Sequence, residues 1–341
     1  MELTEEHRAL RDAVRGLLAG YPARAAAEQP AGYDAGLWQR LCKEIGVAGL
    51  AVPDAYGGAG ATLLESHVVL GEWGRALTPG PMLGCAVLAT QALLRAGDRQ
   101  ACERLLPGIC AGDLIASVAW QGELTGDAAG TVNGVAHQVL DTPDVLLVAA
   151  GDALWEVAAD APGVTLEPAD VLDPTRRLAT VRFDDVPARR AGDVSVPWLR
   201  DLACVALSAE QIGAAARAFE ATHEYVRHRV QFGRPIGSFQ VLQHRLAEAY
   251  LRLEAAVTAS WTAAESLVAD AANASTAAAM AKVYCSEALQ AVVAEMVQMH
   301  GGIAITWEHD AHLYLRRAYA DAQLFGAPGA HLARLAETLL G

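Results

Sequence analysis

The feature that most constrains this chain is an apolar periodicity that sets in at Pro197. Leu202, Val205, Ala209, Ile212, Ala216 and Phe219 recur at intervals of three and four, which lines one face of an α-helix. The pattern predicts one helix of nearly thirty residues ending about His228, roughly 40 Å long at the α-helical rise. Such a stripe needs partners, and three more helical patterns follow. Leu242, Leu246, Tyr250, Leu253 and Val257 mark one; Met280, Val283, Leu289, Val292 and Met296 mark the next; Leu313 and Leu315 mark the last. Short connections between long helices imply an antiparallel bundle.

The texture upstream is different. From Asp113 to about Ala188 short runs such as DVLLVAA and LATVRFDDVPA are separated by Gly, Asp, Asn and Pro, which reads as a small antiparallel barrel or sandwich. No strand–helix alternation appears there, so a dinucleotide-binding α/β domain is not expected. Residues 1 to about 112 read as helices. Thr4 caps the first, with Leu10, Val14, Leu17 and Leu18 facing inward, and Trp38, Leu41, Ile45 and Val47 mark a second. PDAYGGAG (53–60) is a glycine-rich turn before a helix near Leu63 to Leu77. It lacks the lysine of a phosphate-binding loop, so a structural role is expected. The expected architecture is α+β and multidomain: a helical domain over 1–112, a β domain over 113–192 and a four-helix bundle over 193–341.

Composition limits the partners. Lys and Arg total 26 against 40 acids, a net charge of −14, which disfavours nucleic acid and anionic membranes. By residue counting, no apolar run reaches the ~18 residues of a membrane helix. MELTEEHRAL reads as an amphipathic helix and not as a secretory leader. The six cysteines form no CxxC pair, which suits reduced thiols and a cytoplasmic location. No metal is expected. Glu308, His309 and His312 lie at helical spacing, but Thr306 and the acids after it read as a helix start.

In this acidic chain Arg227, Arg229 and Arg234 gather in the loop between the first two bundle helices. That loop, RVQFGRPIGSFQ (229–240), together with QMHGG (298–302), resembles the acyl-CoA dehydrogenase family. LWQRLCKEIGVAGLAVPDAYGGAG (37–60) is similar to the N-terminal domain of that family, and the resemblance spans essentially the whole chain. It implies α,β-dehydrogenation of an acyl-CoA thioester with FAD, and a loop that crosses a dimer interface to the ADP half of the neighbour's FAD. By that resemblance Arg229 meets the pyrophosphate, Phe232 lies near the adenosine, and Gln240 hydrogen-bonds nearby. Gln298, Met299, His300, Gly301 and Gly302 offer backbone groups to the same part of the cofactor. Guanidinium suits a diphosphate, and a Gly-Gly turn admits close backbone approach.

The resemblance also exposes gaps. The family's glutamate base falls on Phe325, which cannot accept a proton. In relatives that place the base on the first bundle helix, its position falls on Ala203, with Asp201 two residues away. AWQGELTGDAAG (119–130) and HQVLDTPDVLLVAA (137–150) keep neither of the family's flavin-ring motifs. The kept half of the site serves a neighbour's cofactor, so the resemblance narrows to the smaller, glutamate-lacking subunit of heteromeric α2β2 enzymes of steroid side-chain degradation. Its partners would be a homologous chain carrying the glutamate, an acyl-CoA and an electron acceptor. Two rival readings stay open: a homo-oligomer whose base is Asp201 or Glu210, and a flavin-free structural subunit. His223, His228 and His244 read as helix-end or interface groups, and Arg316 and Arg317 as partners of acids across the bundle.

Overall fold

The computed structural model describes residues 3–340, which divide into two compact units: residues 3–69 with 79–203, and residues 70–78 with 204–340. The first unit begins with helices α1 (Glu5–Leu18), α2 (Ala23–Ala27) and α3 (Ala35–Glu44). The Thr4 side chain accepts from His7 N, and Asp34 does the same for Leu37 N, so both longer helices start on a side-chain cap. Val14, Leu18, Trp38 and Leu41 are buried. Helix α4 (Leu63–Arg75) is followed by a π-helical stretch at Met82–Ala89, then α5 (Thr90–Ala96) and α6 (Arg99–Ala111).

The β region is not a closed barrel and not wholly antiparallel. Strands β1 (Ala116–Ala119), β4 (Val145–Ala150), β5 (Ala153–Ala158) and β8 (Arg189–Asp193) form one sheet, in which β1 and β4 run parallel. Strands β2 (Gln121–Gly126), β3 (Thr131–Leu140), β7 (Leu178–Pro187) and β6 (Val164–Pro168) form the other, antiparallel throughout. The inner faces share a core of Ala136, Val148, Trp155, Val181 and Phe183, so the sandwich alternative holds. The parallel pair arises because the chain leaves β1 for the other sheet and returns for β4, and short apolar runs carry no record of strand direction.

The bundle contains α7 (Val196–His228), α8 (Gln240–Val268), α9 (Ala274–His300), α10 (Ala311–Gln323) and α11 (Pro328–Leu340). Helix α11 is additional to the four helices expected and lies along α9. The stretch Ala274–Ile305 is, by length and composition, apolar enough to cross a membrane, which corrects the expectation from counting apolar runs. Helix α9 nevertheless packs against α8, α10 and α11 and buries Lys282 completely. The Lys282 ammonium donates to the Asp321 and Ala322 carbonyls at 2.5 and 3.3 Å, placing a cation at the C-terminal end of α10, where the helix dipole is negative.

Candidate functional site

Two turns at one end of the bundle carry most of the candidate residues. The first leaves α7 after His228. Val230–Gln231 (β9) pairs with Arg234–Pro235 (β10) in a short antiparallel hairpin. Its two-residue turn is Phe232 and Gly233, both left-handed at φ 54° and 77°, which matches the twist of a hairpin. A bulky residue seldom accepts that conformation, and here it holds a phenylalanine ring 92 % exposed. The hairpin is pinned below by Arg229 N to Tyr225 O (2.9 Å) and Ile236 N to Arg229 O (2.8 Å). The Arg234 guanidinium lies 4.1 Å from the Phe239 ring centroid, and Phe232 meets Phe239 edge-on at 6.2 Å.

Arg227, Arg229 and Arg234 are exposed. None of the three makes an ion pair among the described residues. Gln240, the first residue of α8, is exposed, with its side-chain nitrogen 3.5 Å from His244 Nε2.

The second turn ends α9. Gly301 has φ 66° and ψ −145°, a backbone state restricted in practice to glycine. A Cβ at Gly301 or Gly302 would meet nothing within 4 Å, so the turn presents open backbone. Gln298 is exposed, whereas the side chains of Met299 and His300 are buried at 6 % and 5 % exposure. Only their main chain is available to a ligand. The rings of Tyr225 and His300 stack at 4.2 Å, which joins the end of α7 to the end of α9 and brings the arginine hairpin and the Gly-Gly turn to the same end of the bundle. Three guanidiniums with no ion pair among the described residues, a bare Gly-Gly backbone and a projecting aromatic ring suit a diphosphate joined to an aromatic base.

The candidate bases sit elsewhere and are tied down. Asp201 is buried, with its carboxylate 3.5 Å from Arg200 Nε. Glu210 and Arg317 form a pair at 3.4 Å with both side chains 2 % exposed. Arg317 thus has the acidic partner expected of it; Arg316 instead lies over the Trp307 ring at 5.7 Å. Phe325, at the position of the expected glutamate, is buried at φ 62° just past α10, and His331 Nε2 donates to its carbonyl at 3.1 Å. Hydrophobic burial explains why a side chain here is held inward.

Other readings shift in detail. Thr306 does not start α10, which begins five residues later. Its hydroxyl bonds the Ile303 carbonyl, and the His309 imidazole accepts from Ala311 N at 3.0 Å instead. The glycine turn at 53–60 spends its amides internally, Ala59 N on Gly49 O and Gly60 N on Val52 O. Residues 121–131 form β2 and a tight turn in which Asp127 accepts from Ala129 and Thr131. Sequence reasoning missed Tyr225 and Lys282. A tyrosine three residues before the helix end and one lysine in an apolar stripe were the only signals.

Comparison with known proteins decides the family. Residues 4–113 match the model of the acyl-CoA dehydrogenase N-terminal domain, and residues 202–340 match that of the C-terminal domain. The chain belongs to the acyl-CoA dehydrogenase family. Acyl-CoA dehydrogenase IpdE2 of Mycolicibacterium smegmatis is 40 % identical over 98 % of each chain. IpdE2 of Mycobacterium tuberculosis is 41 % identical over 97 % of this chain and 96 % of that one. Among solved structures, the ChsE4-ChsE5 complex from Mycobacterium tuberculosis superposes with a TM-score of 0.93 at 28 % identity, covering 99 % of this chain and 98 % of that one. The Tcur3481-Tcur3483 steroid ACAD follows at 0.90 and 31 %, covering 98 % of each. This acyl-CoA dehydrogenase is an oxidoreductase of a flavoprotein family, and its structural relatives include heteromeric assemblies.

Proposed function

We propose that this chain is the subunit of a heteromeric acyl-CoA dehydrogenase that lends the loop binding the ADP half of FAD, that the enzyme acts on bulky acyl-CoA thioesters, and that a homologous partner supplies the base and the flavin-ring pocket. One observation carries the reading: the hairpin of Arg229 and Phe232 and the Gly301–Gly302 turn stand exposed at one end of the bundle, with no ion pair to Arg229 among the described residues, while the expected base position holds a buried phenylalanine. An exposed cationic aromatic hairpin and an internally filled base site suit a subunit that completes a site on another chain. The Tcur3481-Tcur3483 steroid ACAD and the ChsE4-ChsE5 complex, as structural relatives, support the heteromeric arrangement and the bulky substrate class.

When bound, FAD supplies the acceptor for the β-hydrogen leaving as hydride. The chain's own residues bind and orient. Arg229 would neutralise the diphosphate, with Arg234 braced by Phe239 beside it. The left-handed turn would project Phe232 toward the adenosine end. Gly301 and Gly302 would allow backbone approach that any side chain would block. Removal of the α-proton is assigned to the partner, since Asp201 and Glu210 are each engaged by an arginine here.

The test is to co-express the chain with a glutamate-bearing homologue, substitute Arg229→Ala, and measure flavin per chain and the FAD dissociation constant. A charge-assisted bond to phosphate is worth about 1.5–3 kcal/mol, so FAD binding should weaken by about 10–100-fold. Unchanged retention would leave the flavin-free structural subunit standing. A chain purified alone with one FAD and full activity would restore the homo-oligomer.

A further inference from the structure

We propose that His300 is a positioning residue that pre-sets the Gly301–Gly302 turn for the ADP half of FAD, through an aromatic clamp formed with Tyr225 and His309. The inference rests on the function proposed above and adds to it a device within the bundle that controls how firmly that cofactor is held.

The geometry defines the state of each ring. His300 Nδ1 lies 2.8 Å from the Met296 carbonyl, which can only accept, so Nδ1 carries the proton. His309 Nδ1 accepts from Ala311 N at 3.0 Å, so its proton is on Nε2. Burial holds the His300 imidazole below its ordinary range; the Met296 carbonyl opposes that shift, and His309 adds to it.

His300 lies between two other segments. Tyr225, from the last turn of α7, stacks on it at 4.2 Å and 24°. His309, from the connector before α10, approaches at 4.6 Å and 50°. The Tyr225 hydroxyl also lies 3.5 Å from the His300 carbonyl. The residue that launches the turn is therefore fixed chiefly by its ring and by its Nδ1–H.

The launch needs that control. Two consecutive glycines are the most permissive dipeptide available, and each loses much freedom when a ligand orders it. A Gly-Gly turn that must offer its backbone to a diphosphate gains affinity if its exit direction is already set. The same Tyr225 accepts Arg229 N at its carbonyl (2.9 Å), so one residue indexes the arginine hairpin and the glycine turn to each other.

The experiment uses the co-expressed assembly and compares His300→Asn and Tyr225→Leu, which remove a ring, with Tyr225→Phe and His300→Phe, which keep one. FAD is titrated into the apo-assembly and followed by flavin fluorescence, and the thermal midpoint of each apo-assembly is recorded. Loss of pre-organisation predicts FAD binding weaker by about tenfold or more in the ringless variants, with Tyr225→Phe restoring near wild-type affinity and each apo-assembly still melting cooperatively. If His300→Asn fails to assemble, Tyr225→Leu carries the test. Unchanged affinity in the folded ringless variants, alongside weakened binding in Arg229→Ala, would overturn the clamp while leaving the function intact. Unchanged affinity in every variant, Arg229→Ala included, would overturn both.

Discussion

Glu210 offers the sharpest test of how this chain uses its buried charges. Its carboxylate lies 3.4 Å from Arg317, and both side chains are 2 % exposed. Glu210→Gln keeps the shape but leaves Arg317 as a charge without that counter-ion. Breaking a buried pair in this way costs about 3–5 kcal/mol. Each kcal/mol moves the midpoint of a domain of this size by roughly 2–4 °C, so the bundle should lose on the order of 10 °C. Arg317→Met should do comparable damage. The double variant Glu210→Met with Arg317→Met should recover most of it, because a well-packed apolar pair is often as stable as the ion pair it replaces. Thermal melts of the co-expressed assembly, read beside its dehydrogenase activity, provide the assay. The reasoning fails if Glu210→Gln melts like wild type while activity drops by about 100-fold or more, the size of loss expected on deleting a general base. Glu210 would then be the catalyst, and this chain a complete enzyme.

Three further outcomes are expected. Burial pushes the His67 imidazole from 6.5 down to about 3; above about pH 6.5 neither state takes up the proton and the stability is complete. Below it only the unfolded chain does, so stability should fall by roughly 1.4 kcal/mol per pH unit toward pH 3, seen as a drop in urea midpoint between neutral pH and pH 5 that is reduced in a folded His67→Gln variant. Burial raises the Cys42 and Cys285 thiols to about 12 and Cys110 to about 11, and all six cysteines are buried; a thiol reagent at neutral pH should therefore label the native protein slowly and all six sites after unfolding. Gly213→Ala would place a methyl 1.8 Å from the Gly71 carbonyl, so the two helices must part, at a cost of about 1–3 kcal/mol that a thermal melt will register.

Periodicity made the bundle legible because a stripe at three and four admits one geometry, and α7, α8 and α9 appear where Leu202, Leu242 and Met280 place them. Residue type made the chemistry of the two turns legible: guanidiniums in an acidic chain and adjacent glycines have few structural uses. The β region was legible as strands but not as a sheet order, since a four-residue run such as Ala116–Ala119 does not encode its neighbour. The late start of α10 was not legible because His309, which is no usual cap, supplies the acceptor there.

By itself the sequence determined the order of helices, strands and helices, the family, and the absence of a carboxylate at position 325. Those are properties of residue identity and spacing along the chain. Only the tertiary structure decided that Tyr225 stacks on His300, that Glu210 is locked to Arg317, and that Lys282 closes the end of α10. Each joins residues separated by dozens of positions, and such pairings follow from packing, where burial makes an unmatched charge or ring costly.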